Sequence, residues 1–278
     1  MGVTDFFRIS GDGYILTHQS MSEPNAENFP PHIHDAWELL FLIRGDITYK
    51  VEGQSYLLRK GDLVLTRPSV FHHIQPNSSE TYERFNVIFD GDFLPNEVLL
   101  GIPEGVDVFG FSSNVRVFDI LDKIDFYATK LDENILKPLV GCLIRELIYN
   151  TVIPNNYVAG QNASNPLINK AVDYIDRNLA TISNIDEICD ALYITKSHLH
   201  HLFGSFMRVT PKQYITSKRL LLAQRMIRSG SKVTEVSGAV GFDDYATFFR
   251  NYKKHFGYSP SEENGRVNIS QLQDKSSV

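Results

Sequence analysis

Two histidines and a glutamate near the start of the sequence, His32, His34 and Glu38, have a spacing that could support metal or ligand chemistry. Side chains alternate between the two faces of an extended segment, and these three positions share one parity, so their imidazoles and carboxylate point to one face. His73 lies beyond the next predicted strands and can approach the same face. Three imidazoles and a carboxylate can hold a first-row metal such as Zn, Ni, Mn or Fe. The same groups can instead hydrogen-bond a polar effector, in which case no cofactor is required.

Short β-rich runs separated by glycine turns occupy the segment from Phe29 to Asp90 and are expected to position these side chains. The predicted strands are Trp37 to Arg44, Ile47 to Val51, Ser55 to Leu58, Leu63 to Thr66 and Phe85 to Phe89, with an early strand from Tyr14 to Thr17. Regular short strands of this kind predict a β-sandwich or barrel.

A barrel of this size is expected to enclose room for one small molecule. Tyr49 lies on the strand next to Glu38 and is expected to face the same interior, whereas Trp37 has the opposite parity and should pack on the outer sheet face. The candidate effector-binding residues are His32, His34, Glu38, Tyr49 and His73. The candidate metal ligands are His32, His34, Glu38 and His73.

The spacing His-x-His-x-x-x-Glu, followed after six intervening residues by Gly45, resembles the first motif of the cupin barrel. Gly61, Pro68 and His73 fit the second cupin motif, although Val70 replaces its usual glycine and one extra residue precedes Pro68. The resemblance covers about 60 residues and implies a cupin-like amino-terminal domain.

From Asn114 to Val152 the apolar residues recur at helical spacing and predict two helices. Their apolar stripes comprise Phe118, Leu121 and Ile124 in the first helix, and Ile135, Leu136, Leu139, Val140, Leu143, Ile144, Leu147 and Ile148 in the second. These stripes can pack on the barrel of the same chain or form a dimer surface. A homodimer is expected, because twofold pairing is the commonest oligomer.

The segment from Asn184 to Pro260 predicts two helix-turn-helix units joined by one long helix. Thr195 is expected to cap the second helix of the first unit, and Thr210 followed by proline is expected to open the long helix. The pattern then repeats, with Asp243 as the predicted cap of the last helix. Leu199 and Phe248 occupy equivalent positions 49 residues apart.

The long helix is about 18 residues, or on the order of 27 Å, comparable with the roughly 34 Å between successive major grooves of B-DNA. Two recognition helices spaced in this way could enter adjacent grooves on one side of a duplex. Residues 183–260 carry 11 lysines and arginines against 6 aspartates and glutamates, and this basic balance favours DNA binding over a purely structural helical domain.

The sequence GFDDYATFFRNYKKHFGYSP, residues 241–260, resembles the terminal signature of the AraC/XylS family of transcription regulators. The sequence DEICDALYITKSHLHHLFGSF, residues 186–206, is similar to the family's first helix-turn-helix. The resemblance implies double-stranded promoter DNA, RNA polymerase and a small-molecule effector as partners. Many relatives with this layout resemble carbohydrate regulators, so a sugar is the expected effector and transcription activation the expected role.

The candidate DNA-binding residues lie on the two predicted recognition helices. Phosphate contacts are expected from Lys196, Arg250, Lys253 and Lys254, and base contacts from Ser197, His198, His201, Tyr245, Ala246 and Arg250. Phe249 stands where the family places a small polar residue, so it either contacts a thymine methyl group or packs within the domain.

The net charge of −6 conceals an asymmetry, because residues 1–164 carry −10 and residues 165–278 carry +4. An acidic half joined to a basic half fits a sensor coupled to a DNA-binding module. Cys142 and Cys189 lie in different predicted domains, so a disulfide is not expected. The sequence shows neither a signal peptide nor a membrane-length apolar run, and a cytoplasmic location is expected.

These observations predict an α+β multidomain chain that combines a β-barrel with an all-α tandem helix-turn-helix domain. The predicted parts are a cupin-like effector domain (1–112), a helical dimerisation segment (113–153), a linker (154–166), the DNA-binding domain (167–262) and a flexible tail (263–278). We interpret the chain as a ligand-responsive transcription regulator and not as an enzyme. The alternatives are a metal-dependent cupin enzyme with an accessory helical domain and an architectural DNA-binding dimer without an effector.

Overall fold

The amino-terminal half is built from two antiparallel sheets that enclose an apolar interior. The computed structural model describes residues 2–103, 105, 107–153 and 165–265. The strands are β1 (Val3–Gly11), β2 (Tyr14–Met21), β3 (Trp37–Arg44), β4 (Ile47–Val51), β5 (Gln54–Leu57), β6 (Asp62–Thr66), β7 (His72–Pro76), β8 (Tyr82–Phe89) and β9 (Val108–Gly110). The six-stranded sheet has the order β1-β2-β8-β3-β6-β9 and the three-stranded sheet the order β5-β4-β7. The predicted β-barrel half is confirmed, although β1, β7 and β9 were not predicted.

Alternation along β3 divides the apolar side chains of the barrel between two cores. Leu40 and Leu42 point into the space between the sheets, whereas Leu39 and Phe41 point to the outer face of the six-stranded sheet. Trp37 shares the outer face, where its ring stacks on that of Phe89 with centroids 6.1 Å apart. The prediction that Trp37 packs outside the barrel is therefore confirmed.

The turn into β6 requires glycine at position 61. Gly61 has a φ of 88°, in the left-handed region, and a Cβ atom there would lie 2.6 Å from the Cα of Ser112. Its carbonyl accepts a hydrogen bond from the Phe111 amide, which holds the end of β9 against β6. This close approach positions β6 beside β3, the strand that carries Glu38.

Two long helices cover the outer face of the six-stranded sheet. They are α2 (Val115–Ala128) and α3 (Glu133–Tyr149), preceded by the short helix α1 (Asn96–Gly101). Asn114 caps α2 by accepting hydrogen bonds from the amides of residues 116 and 117. Most of the predicted apolar stripe, including Leu121, Ile144 and Leu147, is buried against the sheet. Packing on the barrel accounts for the buried members of the stripe, whereas Ile135 remains 59% exposed, so a dimer contact at that position stays a prediction.

The carboxy-terminal domain contains α4 (Pro166–Asn178), α5 (Asp186–Leu192), α6 (Lys196–Met207), α7 (Pro211–Arg228), α8 (Val233–Ala239) and α9 (Tyr245–Phe256). Thr195 caps α6 and Thr210 caps α7, as predicted, each through its side-chain oxygen. One apolar core gathers α4 to α7 and a second gathers α7 to α9, so α7 contributes to both. The predicted order of helices is therefore confirmed, with the 18-residue α7 as the shared element.

Two details of the carboxy-terminal prediction were wrong. Asp244, and not Asp243, caps α9, because its backbone is extended and its carboxylate accepts the Thr247 amide at 2.7 Å. The predicted flexible tail begins too early, since Pro260–Gly265 forms a 3-10 turn against α7 and the Glu263 side chain is buried. Of the predicted linker 154–166, residues 154–164 lie outside the described residues, as does the tail from 266 onward, and Pro166 already begins α4. Over the part of the chain that is described, no helix has both the length and the apolar character to cross a membrane.

Candidate functional site

A cluster of three histidines around one carboxylate lies at one end of the barrel. Glu38 Oε2 is 2.9 Å from His34 Nε2, 3.0 Å from His72 Nε2 and 3.7 Å from His32 Nε2. One nitrogen from each imidazole and one oxygen of the carboxylate all lie within 4.8 Å of one another. His32 and His34 precede β3, Glu38 lies within it, and His72 begins β7 in the opposite sheet. The structure therefore brings His32, His34 and Glu38 together, as their shared parity predicted.

His73 does not belong to this cluster, and its assignment as effector and metal ligand was wrong. The pairing of β7 with β4 aligns His72 with Val51 and His73 with Lys50. Paired residues share a face, so His72 points into the barrel with Val51 whereas His73 points to the other side. Burial and the nearby cations Lys50 and Arg208 lower the pKa of His73 to about 3. The alternation of His72 with the apolar Ile74 was the sequence signal for the correct residue.

The charges in the cluster are set by burial and by mutual contact. Burial would raise the pKa of Glu38, but His72 and the hydrogen bonds from the three imidazoles together hold it well below its usual range. Burial and the neighbouring His32 lower the pKa of His72 to about 4. Near pH 7, Glu38 is therefore a carboxylate and His72 a neutral imidazole. These are the forms in which the two groups bind metals. Tyr49 closes the cluster from inside the barrel, with its ring stacked on His72 and its hydroxyl 3.0 Å from Thr66 Oγ1.

The donor set also fits a metal by geometry. Ligands about 2.0 to 2.2 Å from a tetrahedral Zn²⁺ lie about 3.3 to 3.6 Å from one another. The three contacts to Glu38 Oε2, from 2.9 to 3.7 Å, bracket that spacing. The cluster can equally be stable as a hydrogen-bonded network, since the carboxylate accepts from His34 and His72.

Described side chains fill much of the barrel interior, where the sequence predicted an effector cavity. These side chains come from both sheets, among them Leu40, Leu42, Tyr49, Tyr56 and Tyr82. The cavity beside the cluster measures about 30 Å³ and is lined in part by His32, Glu38 and Arg84. That volume holds a water molecule and excludes a sugar. Large aromatic residues at inward positions are the physical reason, because close packing leaves few voids.

The helical carboxy-terminal domain is docked on the barrel through α7. The Tyr214 hydroxyl donates a hydrogen bond of 2.8 Å to Glu52 at the β4–β5 turn, and Lys218 Nζ lies 3.4 Å from the same carboxylate. Phe71 stacks on the Tyr214 ring at 4.9 Å between centroids. A Cβ atom at Gly53 would lie 2.2 Å from Asn169 Oδ1, so the turn reaches α4 only because it carries glycine. From the sequence, residues 52 and 53 were predicted only as a turn between strands, and their contact with α4 and α7 was not predicted.

One further ion pair and one further hydrogen bond extend the interface between the domains. Arg225 near the end of α7 donates to Asp35 at 2.6 Å. Arg208, just after α6, donates to the Ala26 carbonyl at 3.0 Å. The interface therefore follows α7 along its length. It includes Asp35, which lies in the sequence between His34 and Glu38 of the cluster. This arrangement links the sensor half physically to the helix that spaces the two helix-turn-helix units.

A cleft of about 470 Å³ lies between the two domains. The barrel contributes residues 31–33 and Phe71, α7 contributes its first turns, and α9 contributes Asn251, Lys254 and His255. His32 therefore lines both this cleft and the small cavity inside the barrel. Sequence reasoning did not predict the cleft, because it depends on how the two halves meet.

The candidate DNA-binding residues are placed on exposed surfaces of α6 and α9. Exposed members of the set are Lys196, Ser197, His198, His201, Tyr245, Ala246, Arg250, Lys253 and Lys254. Phe249 is half-buried, with its ring 6.2 Å from that of Tyr245, which favours packing within the domain. Lys196 pairs with Asp186 at 2.7 Å, and Lys254 also lines the interdomain cleft.

Comparison with known proteins defines the class of protein to which this site belongs. A family model described as an AraC-like ligand binding domain matches residues 22–166, and a helix-turn-helix domain model matches residues 188–265. The molecule thus combines a ligand-binding domain with a helix-turn-helix DNA-binding domain. The chain belongs to the AraC family of transcription regulators, as the sequence motifs had indicated.

Individual relatives match from less than half to most of the chain at low identity. The lactose operon transcription activator of Staphylococcus xylosus is 25% identical over 243 residues, 84% of this chain and 86% of that protein. The raffinose operon transcriptional regulatory protein RafR of Pediococcus pentosaceus is 32% identical over 126 residues, 44% of this chain and 46% of that protein. Among solved structures, ToxT from Vibrio cholerae O395 is 13% identical, with a TM-score of 0.38 over 91% of this chain and 98% of that chain.

Proposed function

We propose that the chain is a ligand-responsive, sequence-specific activator of a sugar-utilisation operon, acting on promoter DNA and RNA polymerase. The observation that carries this proposal is the docking of α7, the spacer of the two helix-turn-helix units, on the barrel through Glu52, Tyr214 and Lys218. An effector that favours either the docked or the undocked arrangement changes how the recognition helices are presented, to the extent of its differential affinity for the two states. The printed roles of the relatives in lactose and raffinose operons support a sugar-derived effector.

DNA recognition is assigned to the exposed residues of α6 and α9. Arg250 and Lys253 supply phosphate contacts, and Ser197, His198 and Tyr245 face the bases. The test is a salt series with full-length protein and an operator selected from random-sequence DNA. We expect Arg250→Ala to weaken binding about tenfold and to reduce the salt slope by about one. Lys123→Ala on α2, outside the DNA-binding domain, is the matched control; an unchanged slope for Arg250→Ala would count against the proposal.

Self-association through α3 is part of this proposal. Ile135 is 59% exposed on α3, Cys142 is also exposed, and Leu139, which lies between them at helical spacing, is only partly buried. A second copy pairing on this face would bury those residues and present two DNA-binding domains. Sedimentation velocity tests it: Ile135→Glu should shift the protein to monomer, and Leu100→Glu, at another exposed apolar position, should not. A wild-type monomer at micromolar concentration would remove this part of the proposal.

A divalent metal in the histidine cluster is a second candidate for the same domain. The specific observation in its favour is the convergence of four ligand atoms from His32, His34, Glu38 and His72. A metal there would link β3 to β7 and would hold His32, which also lines the interdomain cleft, in one position. Its role would therefore be structural or regulatory. The enzyme alternative loses support because both halves of the chain match a family of regulators.

A further inference from the structure

The cleft between the two domains has the size of a ligand site. Its volume of about 470 Å³ falls within the range of roughly 300 to 1,000 Å³ that is usual for small-molecule pockets. The cavity beside the histidine cluster, by comparison, measures about 30 Å³. Of these two spaces, the cleft is the one with room for a molecule the size of a sugar.

The chemistry of the lining favours an anion that carries hydroxyl groups. Two lysines, Lys212 and Lys254, and two histidines, His32 and His255, line the cleft, and no aspartate or glutamate is among its lining residues. An ammonium group is a point-charge partner for a phosphate or carboxylate. The cleft is also lined by side chains that can hydrogen-bond hydroxyl groups, Gln213, Thr216, Ser217 and Asn251.

The lining also brings together the parts whose relative position matters for DNA binding. Lys212 and Ser217 belong to α7, Lys254 to the recognition helix α9, and His32 to the barrel. A molecule held by these residues contacts both domains at once and therefore binds the docked arrangement in preference to any other. It also occupies Lys254, a candidate phosphate contact, so that ligand and DNA are thermodynamically linked.

We infer that this interdomain cleft binds a phosphorylated sugar, with Lys212 and Lys254 holding the phosphate and the polar side chains of α7 and α9 bonding the sugar hydroxyls. This rests on the proposed function, since it names the effector class and the site through which the regulator responds. The ligand supplies the negative charge that the cleft lacks. A neutral sugar would leave the two ammonium groups without a partner and would bind more weakly.

The test is isothermal titration of full-length protein with glucose 6-phosphate, galactose 6-phosphate, the two neutral sugars and inorganic phosphate. At least one hexose phosphate should bind, and its Kd should rise about tenfold in Lys212→Gln through loss of one charged contact. Lys232→Gln, at an exposed lysine paired with Glu235 outside the cleft, is the control and should leave the Kd unchanged. Ser217→Trp, which fills the cleft, should abolish binding.

Several outcomes would overturn the inference. These are no binding of either hexose phosphate, equal binding of the neutral sugars, binding of inorganic phosphate only, or an unchanged Kd in Lys212→Gln. Because Lys212 is exposed, Lys212→Gln is expected to fold, and its unfolding temperature verifies this. DNA binding measured on the same preparations separates failure of the cleft inference from failure of the proposed function. Intact DNA binding without ligand binding rejects only the ligand site in the cleft. Absent DNA binding rejects the proposed function itself.

Discussion

Tyr214 of α7 donates a hydrogen bond of 2.8 Å to Glu52 at the tip of the β4–β5 turn. The two residues belong to different domains, and the Glu52 carboxylate is also 3.4 Å from Lys218, which in turn lies 3.0 Å from Asp176 of α4. Burial raises the pKa of Glu52, although Lys218 and the Tyr214 hydroxyl oppose that shift. The β4–β5 turn is therefore one of the contacts that hold α7 on the barrel, together with the Arg225–Asp35 ion pair and the stacking of Phe71 on Tyr214.

Removal of the Glu52 carboxylate is expected to release this docking. Glu52→Ala leaves the Tyr214 hydroxyl and the Lys218 ammonium without that partner, at a cost of about 2 to 3 kcal/mol. Small-angle scattering should then show a larger radius of gyration than for the wild-type chain. Glu52→Gln, which still accepts from Tyr214, should have a smaller effect, and the exposed Glu235→Ala none. A radius of gyration that does not change in Glu52→Ala would show that another contact holds the domains.

The buried Glu263 is expected to stabilise the second helix-turn-helix unit. Its carboxylate accepts from Arg228 at 2.6 Å and from Gln224 at 3.2 Å, and the Tyr252 hydroxyl of α9 also donates to it. Glu263→Ala should cost about 3 kcal/mol, because it leaves a partly buried guanidinium without its counter-ion. Urea unfolding measures this cost. The neighbouring Glu262→Ala, at an exposed position, should cost less than about 1 kcal/mol, and equal effects of the two substitutions would contradict this role for Glu263.

The two adjacent histidines of β7 allow a sharp test of the metal proposal. Protein expressed in metal-supplemented medium should contain close to one equivalent of Zn, Ni, Mn or Fe by elemental analysis. His72→Ala should lose this metal because it removes a ligand, whereas His73→Ala should retain it because His73 faces away from the cluster. Metal that is lost in His73→Ala but kept in His72→Ala would reverse the assignment, and metal-free wild-type protein would reject the site.

Asp90 is expected to make the chain less stable as the pH rises from about 4 to about 6. Burial, opposed by Arg228, raises the pKa of Asp90 to about 6. Between about pH 4 and 6 the folded chain holds a proton that the unfolded chain releases, so the stability contributed by Asp90 is present at low pH and is lost by pH 6. Asp90→Asn should therefore be about 1 kcal/mol more stable than wild type at pH 7.5, allowing for solvent screening, and no different near pH 3.5.

Thermal unfolding at both pH values tests this prediction. Asp122→Asn, at an exposed carboxylate on α2, is the control and should be neutral at both. A stabilisation by Asp90→Asn that is the same at pH 3.5 and pH 7.5 would show that the effect does not arise from the proton.

Local rules accounted for most of the helical domain. Thr195 and Thr210 could be predicted as caps because a cap depends on residues within one turn of the chain. His72 was missed because β7 was not predicted as a strand, so its alternation with the inward-facing Ile74 was not used to choose between the two histidines. Glu52 and the interdomain cleft were missed for a different reason: they depend on packing between residues more than 100 positions apart.

The central claim is that both helix-turn-helix units of this chain read DNA together, with α7 as their spacer. Hydroxyl-radical footprinting of the full-length protein on its selected operator tests the claim most directly. We predict that each DNA-binding domain protects two stretches about one helical turn, or 10 base pairs, apart on the same face of the duplex. Protection of a single groove, unchanged when Arg250 is replaced by alanine, would contradict the claim.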